Sequence, residues 1–505
     1  MKSYRAVSLL MYSHNGIYVQ SCCKTAEAKA RSPICNPPNR ELLTCSLLNL
    51  FCRRDWPLSL LIAVLMSVML QGMACGAMAE NTDSSLVITH VTVIDPRGGP
   101  LQQDMTIIVR RDRIEKIEKS SVAHAYEGRV LDGRGKFLIP GLWDMEVHLS
   151  WTRASALPLL VANGITGVRD MGGRLQELEI WRSQISAGLR VGPSIFQVGP
   201  MLNGKSFNPL QMAVGTPEET RGVVRTLKFV GVNGLSIERR MPRDSYFALM
   251  EEAKRQGLPV GGHIPMTVRP EEASDAGQST IDNAETIFDG TFGEGIKDAD
   301  LPGAIEGFLS SGAAATLFAR FVKNHNAVTP AIVAYQWSVQ SLDRSNSPDH
   351  RLIYVAASVK KEFQKEHLSP EDAELMQRLY PVLIKVVGQL HRSRVMLLAG
   401  TDVAATRVPG FSLHDELSLL VKAGLTPLEA IQAATLNPAI MLQKSADFGV
   451  VEPGKIADLV LLDANPLDNI ENTKRISAVV LKGKLFTRND LDSLLQQSER
   501  LASQN

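Results

Sequence analysis

A chain of 505 residues with 44% apolar side chains exceeds one average domain and is too apolar to be a disordered chain. Its 54 basic and 53 acidic side chains leave a formal net charge of +1, which removes any electrostatic case for nucleic acid or an anionic membrane and leaves a small neutral or modestly charged ligand. The six cysteines, Cys22, Cys23, Cys35, Cys45, Cys52 and Cys75, all lie at or before residue 75, so the rest has no Cys nucleophile, thiolate zinc site or disulfide and suits a compartment in which thiols oxidise.

Residues 1–52 show no steady hydrophobic period, and we read them as an extension created by a start site placed too early. Residues 53–79 run from Arg53-Arg54 through an uncharged apolar stretch to Ala77-Met78-Ala79. That order of charged, apolar and small residues is a secretory signal peptide, with cleavage before Glu80 and export to the periplasm or the medium. The apolar run is short of the roughly 20 residues of a membrane span, and a retained N-terminal anchor is the alternative. Cys75 does not make a lipoprotein site, because Gly72-Met73-Ala74 lacks the aliphatic residue such sites begin with.

From Leu86 the texture is β-branched and partly alternating, through Ile94 and again over Met105–Ile117, with polar turns between; it returns only at Ala457–Leu462 and Ile476–Leu485. We therefore expect a small β-sandwich built from both chain ends, residues 80–136 and 447–490, with residues 491–505 as a tail. Between them, over 137–446, strand-like runs alternate with amphipathic helical ones, the pattern of βα units around a parallel sheet. The runs ending at His148, Asp170, Gly199, Glu238, Ile264, Asn283, Ala334 and Asp402 supply eight strands, enough for a (β/α)8 TIM-type barrel inserted in the sandwich. A charged helical stretch near 347–390 enlarges one connection. Thr426-Pro427-Leu428-Glu429 reads as a capping box opening a helix to about Leu442, with Gly424 closing the one before it.

In such a barrel, chemistry sits at the C-terminal ends of the strands. Glu146 and His148 end the first strand, two residues apart and so on one face. His263 ends Val260-Gly-Gly-His263, and Asp402 ends Leu397-Leu-Ala-Gly-Thr-Asp402. A lone His at a strand end is either a hydrogen-bonded core residue or a ligand, and Glu146 is either a ligand or the partner of Arg169 or another cation. Asp402 is the residue best placed both to bind a metal and to accept a proton from attacking water. Arg239 and Arg240, after the fourth strand, either hold a substrate carboxylate or form a solvated face. His414 opens a helix and reads as a structural hydrogen-bonder. Gly172-Gly173 is a turn rather than a phosphate loop, since no Lys-Ser/Thr follows.

The phrases Pro140-Gly-Leu-Trp-Asp144, Gly164-Ile-Thr-Gly-Val-Arg-Asp-Met-Gly-Gly173, Gly262-His-Ile-Pro265, Ala399-Gly-Thr-Asp-Val403, His414-Asp-Glu-Leu417, Ala423-Gly-Leu-Thr-Pro-Leu-Glu-Ala430 and Gly454-Lys-Ile-Ala-Asp-Leu-Val460 together resemble the amidohydrolase superfamily, in its imidazolonepropionase-like and Xaa-Pro-dipeptidase-like branch. The resemblance implies a two-metal site with His-x-His on the first strand, a carbamylated Lys on the fourth, His on the fifth and sixth, and Asp on the eighth. His148, His263 and Asp402 match; Glu146, Ser236 and Asn283 stand where the first His, the Lys and the sixth-strand His belong. Ser236 has no amine to form a carbamate, and without that bridging anion two cations would repel. The resemblance therefore implies one divalent ion, zinc or manganese, on Glu146, His148, His263 and Asp402. Two readings follow: a metal-dependent hydrolase of C–N bonds in amides, dipeptides or cyclic amides, or a catalytically inactive relative that binds a small molecule or partner.

Overall fold

The computed structural model describes residues 85–120, 128–292, 296–343, 349–364, 369–403 and 407–504. The expected extension, signal segment and cleavage site lie outside the described residues. Among those residues no helix is long and apolar enough to cross a membrane.

The chain ends meet in one eight-stranded sheet. Its N-terminal strands are β1 (Leu86–Val93), β2 (Gln102–Arg110), β3 (Arg113–Lys119), β4 (Arg129–Asp132) and β5 (Phe137–Pro140). Ten strands of the middle region follow: β6 (Leu142–Val147), β7 (Ile165–Asp170), β8 (Ser194–Gln197), β9 (Met201–Asn203), β10 (Gln211–Ala213), β11 (Leu235–Ile237), β12 (Val260–Gly262), β13 (Thr280–Asp282), β14 (Ala327–Thr329) and β15 (Met396–Leu397). The C-terminal strands are β16 (Leu459–Leu462), β17 (Ile476–Leu481) and β18 (Lys484–Thr487). The order in the end sheet is β18-β17-β16-β5-β1-β2-β3, with β4 beside β1. β5 is the seam: it pairs parallel to β1 and antiparallel to β16. Inward residues from strands on both sides of that seam, among them Ile88, Ile107, Ile114, Leu461, Val480 and Leu485, share one apolar cluster. Hydrogen bonding thus joins both chain ends in a single sheet.

From β6 onward strands and helices alternate in a mixed α/β fold, and each of the eight expected strands is present. β6, β7 and β8 pair in parallel, as do β9, β11 and β12, and β13, β14 and β15. The third strand is broken at Gly199-Pro200: β8 pairs with β7, and β9 beyond the break pairs with β11. Gly199 takes φ +76° and Pro200 has no N–H to give, so the strand turns there without a lost donor. Ser279 N donates to Val260 O across the next junction, Met145 N donates to Ala399 O, and Val147 bridges Val403 in parallel, which brings the eighth position beside the first. Leu142, Val168, Leu235, Ile281 and Val328 pack with helix residues such as Leu157, Leu249 and Leu383 in the main apolar core.

Several boundaries differ from those expected of the sequence: the run expected to end at Asp402 is a strand only over Met396–Leu397, and the expected tail is helical over Arg488–Gln504. β14 stops at Thr329, because Pro330 follows and a helix starts at Ile332. The helix opened by Thr426 has its capping box, with Glu429 N donating to Thr426 Oγ1 and Thr426 N to Glu429 Oε2, but it ends at Ala433 and a second helix runs Leu436–Met441. Pro438 cannot donate to Ala434 O, and the strands take the freed carbonyls: Trp143 N donates to Ala434 O and Ala399 N to Ala433 O. The expected enlarged connection is helical, over Ala357–Gln364 and Pro370–Arg392.

Candidate metal centre

Strand parity builds the site. Asp144 and Glu146 lie in β6 and His148 just past its end, and all three are buried. Asp144 accepts from Thr401 Oγ1 at 2.7 Å and Thr401 N at 3.0 Å, and burial raises its carboxyl to about 7. It pins the eighth-strand segment to the first just below the ligands. His148 Nδ1 lies 3.2 Å from Gly172 O, and a carbonyl only accepts, so Nδ1 carries the proton and Nε2 is directed at Asp402 Oδ1, 3.3 Å away. Burial opposes the charged ring, but the hydrogen bond to Asp402 and its charge outweigh that and raise the His148 pKa.

Glu146, His148 and Asp402 each offer one ligand atom, all within 4.8 Å of one another. Glu146 Oε2 is buried with no hydrogen-bond donor. Burial, then the neighbouring Asp402 and Asp282 carboxylates, hold Glu146 well above the carboxylate range. A tetrahedral ion with bonds of about 2.0–2.1 Å sets its ligands roughly 3.3–3.4 Å apart, which the His148–Asp402 spacing of 3.3 Å matches. An imidazole, two carboxylates and one carboxylate oxygen without a donor are a donor set that fits a divalent cation. Asp402 itself sits at φ +48° and Asn283 at φ +64°, left-handed positions that Asp and Asn tolerate best among residues with a side chain.

His263 stands outside the three-residue cluster. It follows Gly262, whose φ of +108° and whose contact with Ile237 O on the side where a Cβ would project admit only glycine. His263 Nε2 meets Asn283 Oδ1 at 3.2 Å, and its Nδ1 lies 3.5 Å from Glu238 Oε2. Burial and then Arg239 push its pKa down to about 3, so the ring is neutral and able to ligate. Asn283 closes the circuit by donating to Asp402 Oδ2 at 3.4 Å. The residue in the sixth-strand His position thus links the fifth-strand His to the eighth-strand Asp by hydrogen bonds.

Glu238 is a site residue that the sequence motifs did not single out. Ser236 lies buried in β11 in register with Gly261. Two residues on, parity returns Glu238 to the same side, buried and held at about 7 by burial against the pull of His148 and Arg239. The signal was there: a carboxylate at i+2 from a lost lysine on a strand that reads inward. Arg407, likewise not singled out, lies 3.2 Å from Asp402 Oδ2 through Nη2.

The other candidates fall as follows. Arg169 does not pair with Glu146; it donates to Met145 O, Thr280 Oγ1, Asp282 Oδ1 and Thr329 Oγ1, which ties four strands together. Arg239 is buried, donates to Asp289 and lies 4.0 Å from Glu285, while the Arg240 guanidinium stands 4.7 Å over the Phe207 ring. His414 bonds Thr473 Oγ1 at 2.9 Å and Asn163 O at 3.0 Å, joining its helix to the short helix Ile470–Lys474 and to the C-terminal end of the helix Ala156–Ala162.

The family model described as amidohydrolase family matches residues 137–486. Ochratoxinase of Aspergillus niger is 23% identical over 420 residues, 69% of this chain and 75% of that protein. Imidazolonepropionase of Pyrobaculum arsenaticum is 41% identical over 78 residues, 15% of this chain and 19% of that protein. A crystal structure of an Xaa-Pro dipeptidase with bound methionine in its active site superposes with a TM-score of 0.61 at 20% identity, covering 80% of this chain and 100% of that one.

Proposed function

Since the chain belongs to the amidohydrolase family, hydrolases acting on carbon–nitrogen bonds, we propose that it opens the C–N bond of a small amide, dipeptide or cyclic amide with one divalent ion held by Glu146, His148 and Asp402 and flanked by His263. The observation that carries this reading is the buried cluster of Glu146, His148 and Asp402. Zinc or manganese bound there would acidify water and polarise the scissile carbonyl.

The protein's own groups account for the rest. Asp402 takes the proton of the attacking water and hands it to the leaving nitrogen, while Arg407 Nη2, 3.2 Å away, holds its outer oxygen. Gly172 O keeps His148 in one tautomer, and Asp144 keeps Thr401 and with it Asp402 in place. Arg239 and Arg240 lie beyond the fourth strand, where a substrate carboxylate would meet them; Arg239 would have to exchange Asp289 for it.

The same reading includes a closed (β/α)8 barrel, beginning after β5 and not at Phe137 because Phe137–Pro140 pairs in the end sheet, and running to about residue 446, a β-sandwich from the two flanking regions, and an exported mature chain beginning near Glu80. The backbone bonds between neighbouring strand groups, the apolar cluster shared across the end sheet, and the order of residues 53–79 support these three points in turn. The test is elemental analysis of the purified chain before and after addition of zinc or manganese, together with hydrolysis of a panel of dipeptides and N-acyl amino acids. One ion per chain with hydrolysis that follows ion content is the expected result. Two tightly bound ions, or hydrolysis indifferent to a chelator, would overturn it.

A further inference from the structure

Asp402 has two different sides. Oδ1 faces His148 Nε2 within the cluster, whereas Oδ2 is held by Arg407 Nη2 at 3.2 Å and by Asn283 Nδ2 at 3.4 Å. The same guanidinium nitrogen also donates to the backbone carbonyl of Asp402, so a residue five positions on folds back over the ligand. Arg407 is only 3% exposed, and its charge is therefore weakly screened. Asp282 and Asp289 each have a guanidinium of their own in Arg169 and Arg239. The carboxylates that face the two site histidines or complete the cluster are Glu146, Glu238 and Asp402.

We propose that Arg407 is a built-in counter-ion of the metal centre, supplying at the outer oxygen of Asp402 the positive charge that a second cation would otherwise bring. The cluster's two carboxylates, Glu146 and Asp402, balance one divalent ion, and Arg407 sets a further positive charge beside them. The inference rests on the one-ion reading above. Beside Ser236 and Asn283, which stand where ligands of a second cation would be, the centre carries a fixed charge of its own in Arg407. Arg407 then limits how tightly the ion binds, because both charges are positive and share one carboxylate.

The experiment is a titration of the metal-free full chain with manganese alone and zinc alone, by competition against a chromophoric chelator, for the parent, Arg407→Gln and Arg407→Lys. Removing the charge should tighten both ions by roughly tenfold or more, and by a similar factor for each because both are divalent. Arg407→Lys keeps the charge and should stay within about threefold of the parent. An unchanged or weaker affinity in Arg407→Gln, or a tenfold gain in Arg407→Lys as well, overturns the proposal while leaving the one-ion reading intact. A change for zinc without one for manganese also overturns it, since lost ligand geometry and not charge would be the cause. Binding of an ion by Arg407→Gln but not by the parent supports it and corrects the reading for the parent. Binding by none of the three overturns both. Should Arg407→Gln give no cooperative unfolding transition, Arg407→Met, which keeps the packing of the stem, takes its place in the same comparison.

Discussion

Two layers of buried charge cross the strand array, and they are built on opposite principles. In the lower one Arg169 directs its donors to Met145 O, Thr280 Oγ1, Asp282 Oδ1 and Thr329 Oγ1, and the single carboxylate it faces is matched by its own charge. In the upper one Glu146, Glu238 and Asp402 gather beside two imidazoles, one carboxylate oxygen has no donor, and burial raises the carboxyls of Glu146 and Glu238. The first layer closes on itself, whereas the second leaves Glu146 Oε2 without a donor, which fits the cation proposed for it. Buried polar groups that hold a fold and buried polar groups that wait for a ligand are told apart by whether their hydrogen bonds close among themselves.

The contrast breaks most visibly at Arg169. Arg169→Met should strand Asp282 as an uncompensated buried charge and cut four strand contacts, at a cost of about 3–5 kcal/mol in denaturant unfolding. Zinc should not restore that stability. If Arg169→Met unfolds within about 1 kcal/mol of the parent, the lower layer is not the structural one.

Asp402→Asn probes the upper layer. The amide keeps the shape and loses the charge, so the protein should fold, bind zinc or manganese much more weakly, and lose about 10²–10⁴ in kcat/KM on any substrate the parent hydrolyses. Metal content and hydrolysis that both survive the change would remove Asp402 from its assigned role.

A pH series on the metal-free protein sharpens the same comparison. Asp144, Glu238 and Glu285 are raised to about 7 by burial, Asp170 to about 6 and Glu416 to about 8. Between the ordinary carboxyl range and those values the native state binds more protons than the unfolded one, so stability falls as pH rises from about 4.5 toward 8. Urea midpoints should therefore drop over that window without metal. Added zinc should flatten the slope, as it replaces protons in the upper layer. A midpoint that climbs with pH in the metal-free chain would contradict the burial of these carboxyls.

Much of this was legible in the sequence, and the reasons differ by residue. All eight expected strands are found because buried parallel strands are marked by apolar runs bounded by turn residues, and the Thr426 capping box is a local pattern that tertiary packing did not override. The break after Ala433 was not legible, although Pro438 was visible, because the donors to the freed carbonyls come from Trp143 and Ala399, distant in sequence from the helix. Glu146, His148 and Asp402 converge as strand ends at one end of an array must. Glu238 was open to the parity rule, two residues beyond Ser236 on the same side of the strand. Arg407 carries no periodic signal, and only the fold of the chain back onto Asp402 brings it to the site. The partner of Arg169 was a question of register: Asp282 and Glu146 are both inward carboxylates, and pairing across the array decides between them.

The smallest effect on stability is predicted inside the cluster itself, at Glu146. Burial and two neighbouring carboxylates raise its pKa well above the usual range, which favours the protonated form in the absence of metal, and a carboxylic acid and a carboxamide are nearly equivalent in size and charge. Glu146→Gln should leave the stability of the metal-free protein within about 1 kcal/mol of the parent, in contrast to Arg169→Met, because no charged partner is abandoned. Its zinc affinity should nevertheless fall, since the ion needs the ionised form that glutamine cannot supply. Unfolding curves with and without zinc separate the two effects: the parent should gain stability on zinc addition, and Glu146→Gln should gain less while starting from the same point. A large loss already present without zinc would mean that Glu146 is an ionised member of a closed network, and the distinction between the two layers would fail at the residue chosen to define it.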